Sequence, residues 1–197
     1  MILDFNFLRS KLGRFNQTQV DGINIILDKI NQFDELTIAQ AAYIFATAWH
    51  ETAATMEPVE EYGKGKGRAY GTWFKNSKGS LYSFTNGSKK TAYIYDDFPF
   101  LYYGRGFVQL TWFDNYSKAG ALLNVDFCNN PSLVMQPSYS ADILVLGMIQ
   151  GWFTGRKLSD FINDKNIDFL RARKIINGMD KASKIAAEAE IFKKALS

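Results

Sequence analysis

One cysteine and one histidine in 197 residues remove whole classes of chemistry from this chain. With Cys128 alone no intrachain disulfide can form, so the fold cannot rest on disulfide staples, and a reducing compartment is expected. Zinc sites of the usual kind draw several ligands from Cys and His. His50-Glu51 opens the zinc-protease pattern, but the second histidine would fall at position 54, which is Ala54. A Ser-His-Asp triad would also have to use His50, and no Gly-x-Ser-x-Gly accompanies it. Gly104-Arg105-Gly106 lacks the trailing Lys-Ser/Thr of a phosphate loop. Neither a metal nor a cofactor is expected.

Two further features are missing. No apolar run approaches the ~18 residues of a membrane-spanning helix. The start, Met1 to Arg9, has neither the basic opening nor the long apolar stretch of a secretory signal. The expectation is a protein held in a cytoplasm until something else lets it out. Hydrophobic content of 47% with 22% charge suits a soluble chain able to bury a core.

Acidic residues are absent between Tyr62 and Tyr95, where Lys64, Lys66, Arg68, Lys75, Lys78, Lys89 and Lys90 lie. Such a segment in a chain of net charge +3 suits an anionic polymer, or is a solvated loop. Interleaved aromatics (Tyr70, Trp73, Phe74, Tyr82) favour polymer contact, but rings stack on sugars as readily as on bases.

Residues 17–33 carry Val20, Ile23, Ile26, Leu27, Ile30 and Phe33 at helical spacing, with Asn16 as N-cap and Gln19 three residues on. A second helix is expected from about Thr37 to Glu51, with Ile38, Ala41, Ala42, Phe45 and Trp49 on one face. Glycines punctuate 62–100, which predicts loops and a small hairpin. Helical spacing returns from Phe107 to Tyr116, then over 139–153, 158–163, 167–177 and 181–196. The expected architecture is mainly α, one domain over residues 1–197 with a basic insertion at about 62–100 and no separate second domain.

What remains for catalysis is carboxylate chemistry. Glu51 ends an Ala-rich apolar helix, where partial negative charge and the neighbouring Trp49 both disfavour the ionised form. A carboxylic acid still protonated near neutral pH is what a general acid requires. Glu57, Glu60 and Glu61 follow across a short linker containing Pro58. One acid and one ionised carboxylate across a cleft is glycosidase equipment, with roughly 6.5–9.5 Å between them for inversion. Downstream, Gln109, Thr111 and Asn115 are short polar groups set in an aromatic run, suited to sugar hydroxyls or a water.

Several motifs then appear in a shared order: His50-Glu51-Thr52; Tyr103-Gly104-Arg105-Gly106-x-x-Gln109-Leu110-Thr111-Trp112 with Asn115 and Tyr116; Asn130-Pro131-x-Leu133; and Ile176-Asn177-Gly178. Over residues 40–180 this resembles glycoside hydrolase family 19, the chitinases and phage endolysins of the lysozyme superfamily. Met56 to Gly63 looks most like the phage branch. The resemblance implies a lysozyme-like helical fold with Glu51 as general acid. The base would be Glu60, nine residues on, or Glu61 at the tenth position, with Glu60 slightly favoured. It also implies that Thr111 helps hold the attacking water and that Gln109, Asn115 and Asn177 bind substrate. His50, Tyr103 and Arg105, in the same motifs, are expected to contact substrate as well. Ala53 departs from the Thr or Gly common in chitinases, and the single cysteine departs from the disulfide-bonded plant enzymes.

Peptidoglycan carries carboxylates and chitin does not, so the basic insertion favours peptidoglycan. The expectation is a phage endolysin of lysozyme type, monomeric, binding glycan strands and no nucleic acid. A membrane-permeabilising partner (a holin) would release it from the host cytoplasm to the periplasm and wall. The rival readings are a chitinase, a lytic transglycosylase and a non-catalytic binding module. The C-terminal helix, with Lys181, Lys184, Lys193 and Lys194, is expected to pack on the domain rather than disturb membranes.

Overall fold

A computed structural model describes residues 1–65, 70, 73–75, 81–83 and 100–197, with backbone only at 73–75 and 81–83. Helices carry the architecture, as expected. The elements are α1 (Phe5–Leu12), α2 (Gln17–Ile30), α3 (Ile38–Glu51), β1 (Val59–Glu60), β2 (Trp73–Lys75), β3 (Leu81–Ser83), β4 (Arg105–Gly106), α4 (Phe113–Leu123), α5 (Pro137–Gln150), β5 (Ile162–Asn163), β6 (Asn166–Ile167) and α6 (Ala182–Ala195). The strands form three antiparallel pairs: β1 with β4, β2 with β3, and β5 with β6.

Helix α3 is the hub. Its residues Ala39 to Trp49 are all buried, because alanine on most faces lets neighbouring helices approach from every side. It is therefore a core helix, and Ile38, placed on the buried face by spacing alone, is instead 39% exposed. Thr37 caps it, accepting from the backbone of Gln40 while the Gln40 side chain returns to the backbone of Thr37. Helix α6 packs along α3, with Phe45 stacked on Phe192 at 5.4 Å and Trp49 edge-on to it at 6.2 Å. The last residues close on the first, since Ile2 and Ser197 exchange backbone hydrogen bonds. The basic C-terminal helix thus buries Ile185, Ala189 and Phe192 in the core.

Helix α2 begins where its sequence predicts, with the full reciprocal cap between Asn16 and Gln19. Helix α1 has no counterpart among the expected elements. Asp4 caps it by accepting from Asn6 and Phe7, a local signal that lies within the segment read for a leader.

Three helical expectations fail for a physical reason. Residues 107–111 form a turn, in which Arg105 and Leu110 exchange backbone hydrogen bonds, and α4 starts only at Phe113. The periodic apolar residues there are buried from a turn. Likewise 158–163 and 167–177 are short 3-10 turns, Leu158–Asp160 and Arg171–Ile175, around the β5–β6 hairpin. The Asn163 carboxamide oxygen accepts from the backbone of Lys165 and Asn166, a turn that competes with helix. The expected hairpin inside the basic insertion exists as β2–β3, pairing Phe74 with Tyr82; most of that insertion lies outside the described residues.

Candidate active site

Glu51 is the final residue of α3, and the chain leaves it through a strained turn. Ala53, Ala54 and Met56 all have positive φ, at 48°, 67° and 54°. A left-handed conformation costs a residue with a Cβ roughly 1–2 kcal/mol, so the surroundings must enforce it. The Glu51 side chain is 16% exposed. Its Oε1 accepts from Nη1 of Arg173 at 2.5 Å, and Nε of Arg173 donates to the carbonyl of Asp180 at 3.1 Å. Arg173, itself only 5% exposed, sets a charge-assisted hydrogen bond against the burial and the helix end that disfavour this carboxylate, and it lies too far along the chain to be legible from the residues around Glu51.

The Glu51 side chain opens into a cleft of about 560 Å³. Four other residues singled out from the sequence line the same space: Gln109, Thr111, Asn115 and Asn177. The first three are fastened to one another. Thr111 Oγ1 donates to the carbonyl of Gln109 at 2.8 Å, and Asn115 Nδ2 donates to the carbonyl of Thr111 at 2.7 Å. Gln109 Nε2 donates to the carbonyl of Val59 at 2.9 Å, joining the cleft floor to β1. Positive φ at Gln109 (54°) and Trp112 (77°) sets the backbone between them, another local strain at the site. Gly104 lies close behind this floor: a Cβ there would lie 2.7 Å from Gln109 Oε1 and 3.3 Å from Thr111 Oγ1, so those side chains would have to shift.

Glu60 and Glu61 occupy opposite faces of the short β1–β4 pair. Glu60 stands opposite Arg105, and the backbone N–H of Glu61 continues the pairing to the carbonyl of Gly104 at 2.7 Å. Side chains alternate along strands, so Glu60 shares a face with Tyr103 and Arg105, and Glu61 shares one with Gly104. Glu60 is engaged on its face: Tyr103 Oη donates to Oε1 at 2.5 Å and Lys64 Nζ lies 2.7 Å from Oε2. Arg105 Nε is 3.7 Å from Oε1, an ionic contact only. Lys64 first, then Tyr103, hold the Glu60 carboxyl below its ordinary range. Arg105 is buried with its guanidinium 3.6 Å from the centre of the Tyr103 ring, and it donates to Tyr116 Oη at 2.9 Å.

Glu61 has a different setting. Its Oε2 accepts from the Gly104 N–H at 3.1 Å and its Oε1 from Tyr70 Oη at 3.3 Å. Gly104 abuts Gln109 and Thr111, and the Tyr70 ring meets the cleft residue Trp112 edge-on at 4.7 Å. Glu61 is thus on the cleft side of the strand pair.

The structure therefore gathers Glu51, Gln109, Thr111, Asn115 and Asn177 around one space; Glu61 adjoins its floor through Gly104 and is not among the residues that line the cleft. Tyr103 and Arg105, expected to touch substrate, are instead buried supports beneath Glu60. His50 is not among the cleft's lining residues; its buried Nδ1 has no hydrogen-bond partner among the described residues. Burial, the largest influence, lowers the basicity of that imidazole, although Glu51 acts in the opposite sense. Arg173, Asp114 and Phe153 were missed by sequence reading. Arg173 carried no usable signal, since a cation in the stretch Arg171-Ala172-Arg173-Lys174 reads as solvated.

Residues 33–157 match the family model described as glycoside hydrolase family 19, chitinase class I. Arg173 and Asn177 lie beyond the matched segment. No curated protein matches. Among solved structures, chitinase C from Streptomyces griseus HUT6037 superposes with a TM-score of 0.65 at 18% identity, over 98% of this chain and 76% of that one. A bacterial family 19 chitinase, said to differ from plant enzymes, gives 0.56 at 20% identity, over 100% and 96%. A class IV family 19 chitinase from Zea mays gives 0.57 at 18% identity, over 98% and 90%. At such identities the superpositions establish the fold, the lysozyme-like helical one. The matched segment covers most of the chain, including Glu51, the β1–β4 pair and the Gln109–Asn115 floor, and on that ground the chain belongs to glycoside hydrolase family 19 and is a glycoside hydrolase.

Proposed function

We propose that this glycosidase cuts β-1,4 bonds between N-acetylated sugars of bacterial peptidoglycan, as a phage endolysin, with Glu51 as general acid and Glu61 as general base. The observation that carries the acid–base reading is Glu51 at the cleft wall, fixed from behind by Arg173, among neutral polar groups suited to sugar hydroxyls and amides. Arg173 occupies Oε1, which leaves Oε2 to carry the proton given to the leaving glycosidic oxygen. Glu61 takes a proton from the water that attacks the anomeric carbon on the opposite face, and Thr111 orients that water. One C–O bond breaks and one forms, and solvent exchange returns each carboxyl to its starting state. The anomeric configuration inverts.

Glu61 is preferred to Glu60, reversing the slight preference drawn from spacing. A base must lie on the side of the strand pair that adjoins the cleft. Glu60 is turned to the opposite face, and Lys64 and Tyr103 hold its carboxyl below the ordinary range, which makes it the weaker base. Glu61 sits against Gly104, which itself abuts the hydroxyl of Thr111.

Support for peptidoglycan comes from charge. The acid-free basic segment leaves and rejoins the fold at the site, since Glu61 bonds Gly104 and Tyr70 bonds Tyr102. That puts its ends beside the cleft, where cations attract a carboxylate-bearing polymer. Release from a host cytoplasm through a holin-type partner belongs to the same proposal. The chitinases among the similar structures make chitin the alternative substrate.

Mass analysis of digested peptidoglycan and of chitin hexamer decides between them. Reducing-end muropeptides from the wall with slow chitin cleavage are expected. Fast cleavage of chitin hexamer with intact walls would establish a chitinase, and anhydro-sugar ends a transglycosylase. Glu51→Gln and Glu61→Gln should each lose about a hundredfold or more in kcat, and Glu60→Gln much less.

A further inference from the structure

We propose that Gln19, on the first turn of α2, is a positioning residue for the acid–base pair, holding the strained linker that joins Glu51 to Glu61. The inference rests on the reading of those two carboxylates as acid and base. Between them the chain passes through Ala53, Ala54 and Met56 in left-handed conformations that residues with a Cβ resist. Such a linker keeps its shape only where contacts outside it over-determine that shape.

Those contacts come from α2. Gln19 Nε2 donates to the carbonyl of Ala54 at 2.7 Å, in a half-buried setting. The same carboxamide, through Oε1, accepts from the backbone of Asn16 at 2.9 Å, so one side chain ties the helix start to the linker. Three residues on, α2 lies directly against Met56: a Cβ at Gly22 would stand 1.7 Å from the Met56 carbonyl oxygen. Phe15, just before the helix cap, packs edge-on against Trp49 at 5.7 Å, fastening the start of α2 to the last turn of α3. Within the linker, Thr52 Oγ1 accepts from Met56 N at 3.1 Å and Ala54 N donates to Trp49 at 2.7 Å. The Gln19 bond supplies the hold from outside on the middle of the turn. Loosening it lets the linker relax toward right-handed backbone and changes the spacing between the two carboxylates, to which proton transfer is sensitive.

Gln19→Glu separates this role from helix capping. A glutamate keeps the oxygen that accepts from Asn16 and is itself a favoured residue at that capping position. It has no N–H for the Ala54 carbonyl, and its charge repels that oxygen. The full-length variant is expected to stay folded, with a melting temperature only a few degrees lower at most. Its kcat on purified peptidoglycan, and on chitin hexamer, should fall about fivefold or more while KM changes less than about twofold. Hydrogen exchange at the amides of Ala54 and Met56 should accelerate by a similar factor. Unchanged exchange together with unchanged kcat overturns the proposal. A fall in kcat that tracks a lower melting temperature, with no local gain in exchange, overturns it too, by making the residue merely structural. Glu51→Gln, measured in parallel, tests the acid reading separately. If that variant stays active, the acid assignment fails while the exchange data still judge the Gln19 hold.

Discussion

Arg173 reaches Glu51 across 122 positions of sequence, its Nη1 2.5 Å from the carboxylate oxygen at the end of α3. The pair joins the helix hub to a 3-10 turn that periodicity reads as helix. Removing one partner of a buried pair strands the other. Arg173→Met should therefore cost about 3 kcal/mol in a denaturant titration, and lower kcat at least tenfold by freeing the acid. Arg173→Lys should recover part of the stability but little of the rate, because a lysine cannot bond Glu51 and the Asp180 carbonyl as one rigid fork.

Glu60 makes acid tolerance a readout of the β1–β4 pair. Its carboxyl is held below the ordinary value of 4.5, mainly by Lys64 and Tyr103. The stabilisation is therefore fully present above pH 4.5 and is lost as pH falls through the lower folded value. Glu60→Gln should lose about 1 kcal/mol at neutral pH, an amount reduced by the partial exposure of the pair. Melting temperatures of the two proteins should converge in acid; a constant gap across pH would refute the assignment.

Gly104→Ala tests the cleft floor without replacing a carboxylate, although its backbone N–H bonds Glu61. The new Cβ must displace the Gln109 carboxamide or the Thr111 hydroxyl. Activity should drop on the order of tenfold with a small change in melting temperature. Full activity would mean the floor tolerates movement that the water-orienting role of Thr111 does not allow.

Glu188 offers the opposite pH behaviour. It is 9% exposed on α6, its Oε2 has no hydrogen-bond partner among the described residues, and Lys184 stands 3.8 Å from Oε1. Burial raises its carboxyl above the ordinary value of 4.5, so the charged form costs stability at neutral pH. Glu188→Leu should gain about 1 kcal/mol there. The gain should shrink as pH falls through the raised folded value toward 4.5, since protonation relieves the wild-type penalty. Urea midpoints at several pH values measure this directly.

Capping and periodicity made α2, α3 and α6 legible, because their signals lie within a few residues of one another. Asn16 and Gln19 announce the start of α2 in three positions, and Ala46 to Glu51 announce a carboxylate at a helix end. The expectation of no usual zinc site and no intrachain disulfide needed only the counts of His and Cys. Gln109, Thr111, Asn115 and Asn177 were named from their motifs, and folding brings them to one cleft. Only tertiary structure could give Arg173 its partner, since attraction between charges 122 residues apart depends on where two unrelated turns are packed. Strand alternation likewise separates Glu60 from Glu61, a difference of face that spacing from Glu51 does not encode. Arg105 and Tyr103 moved from presumed substrate contacts to buried supports for the same reason: a side chain's neighbours are set by what packs against its face.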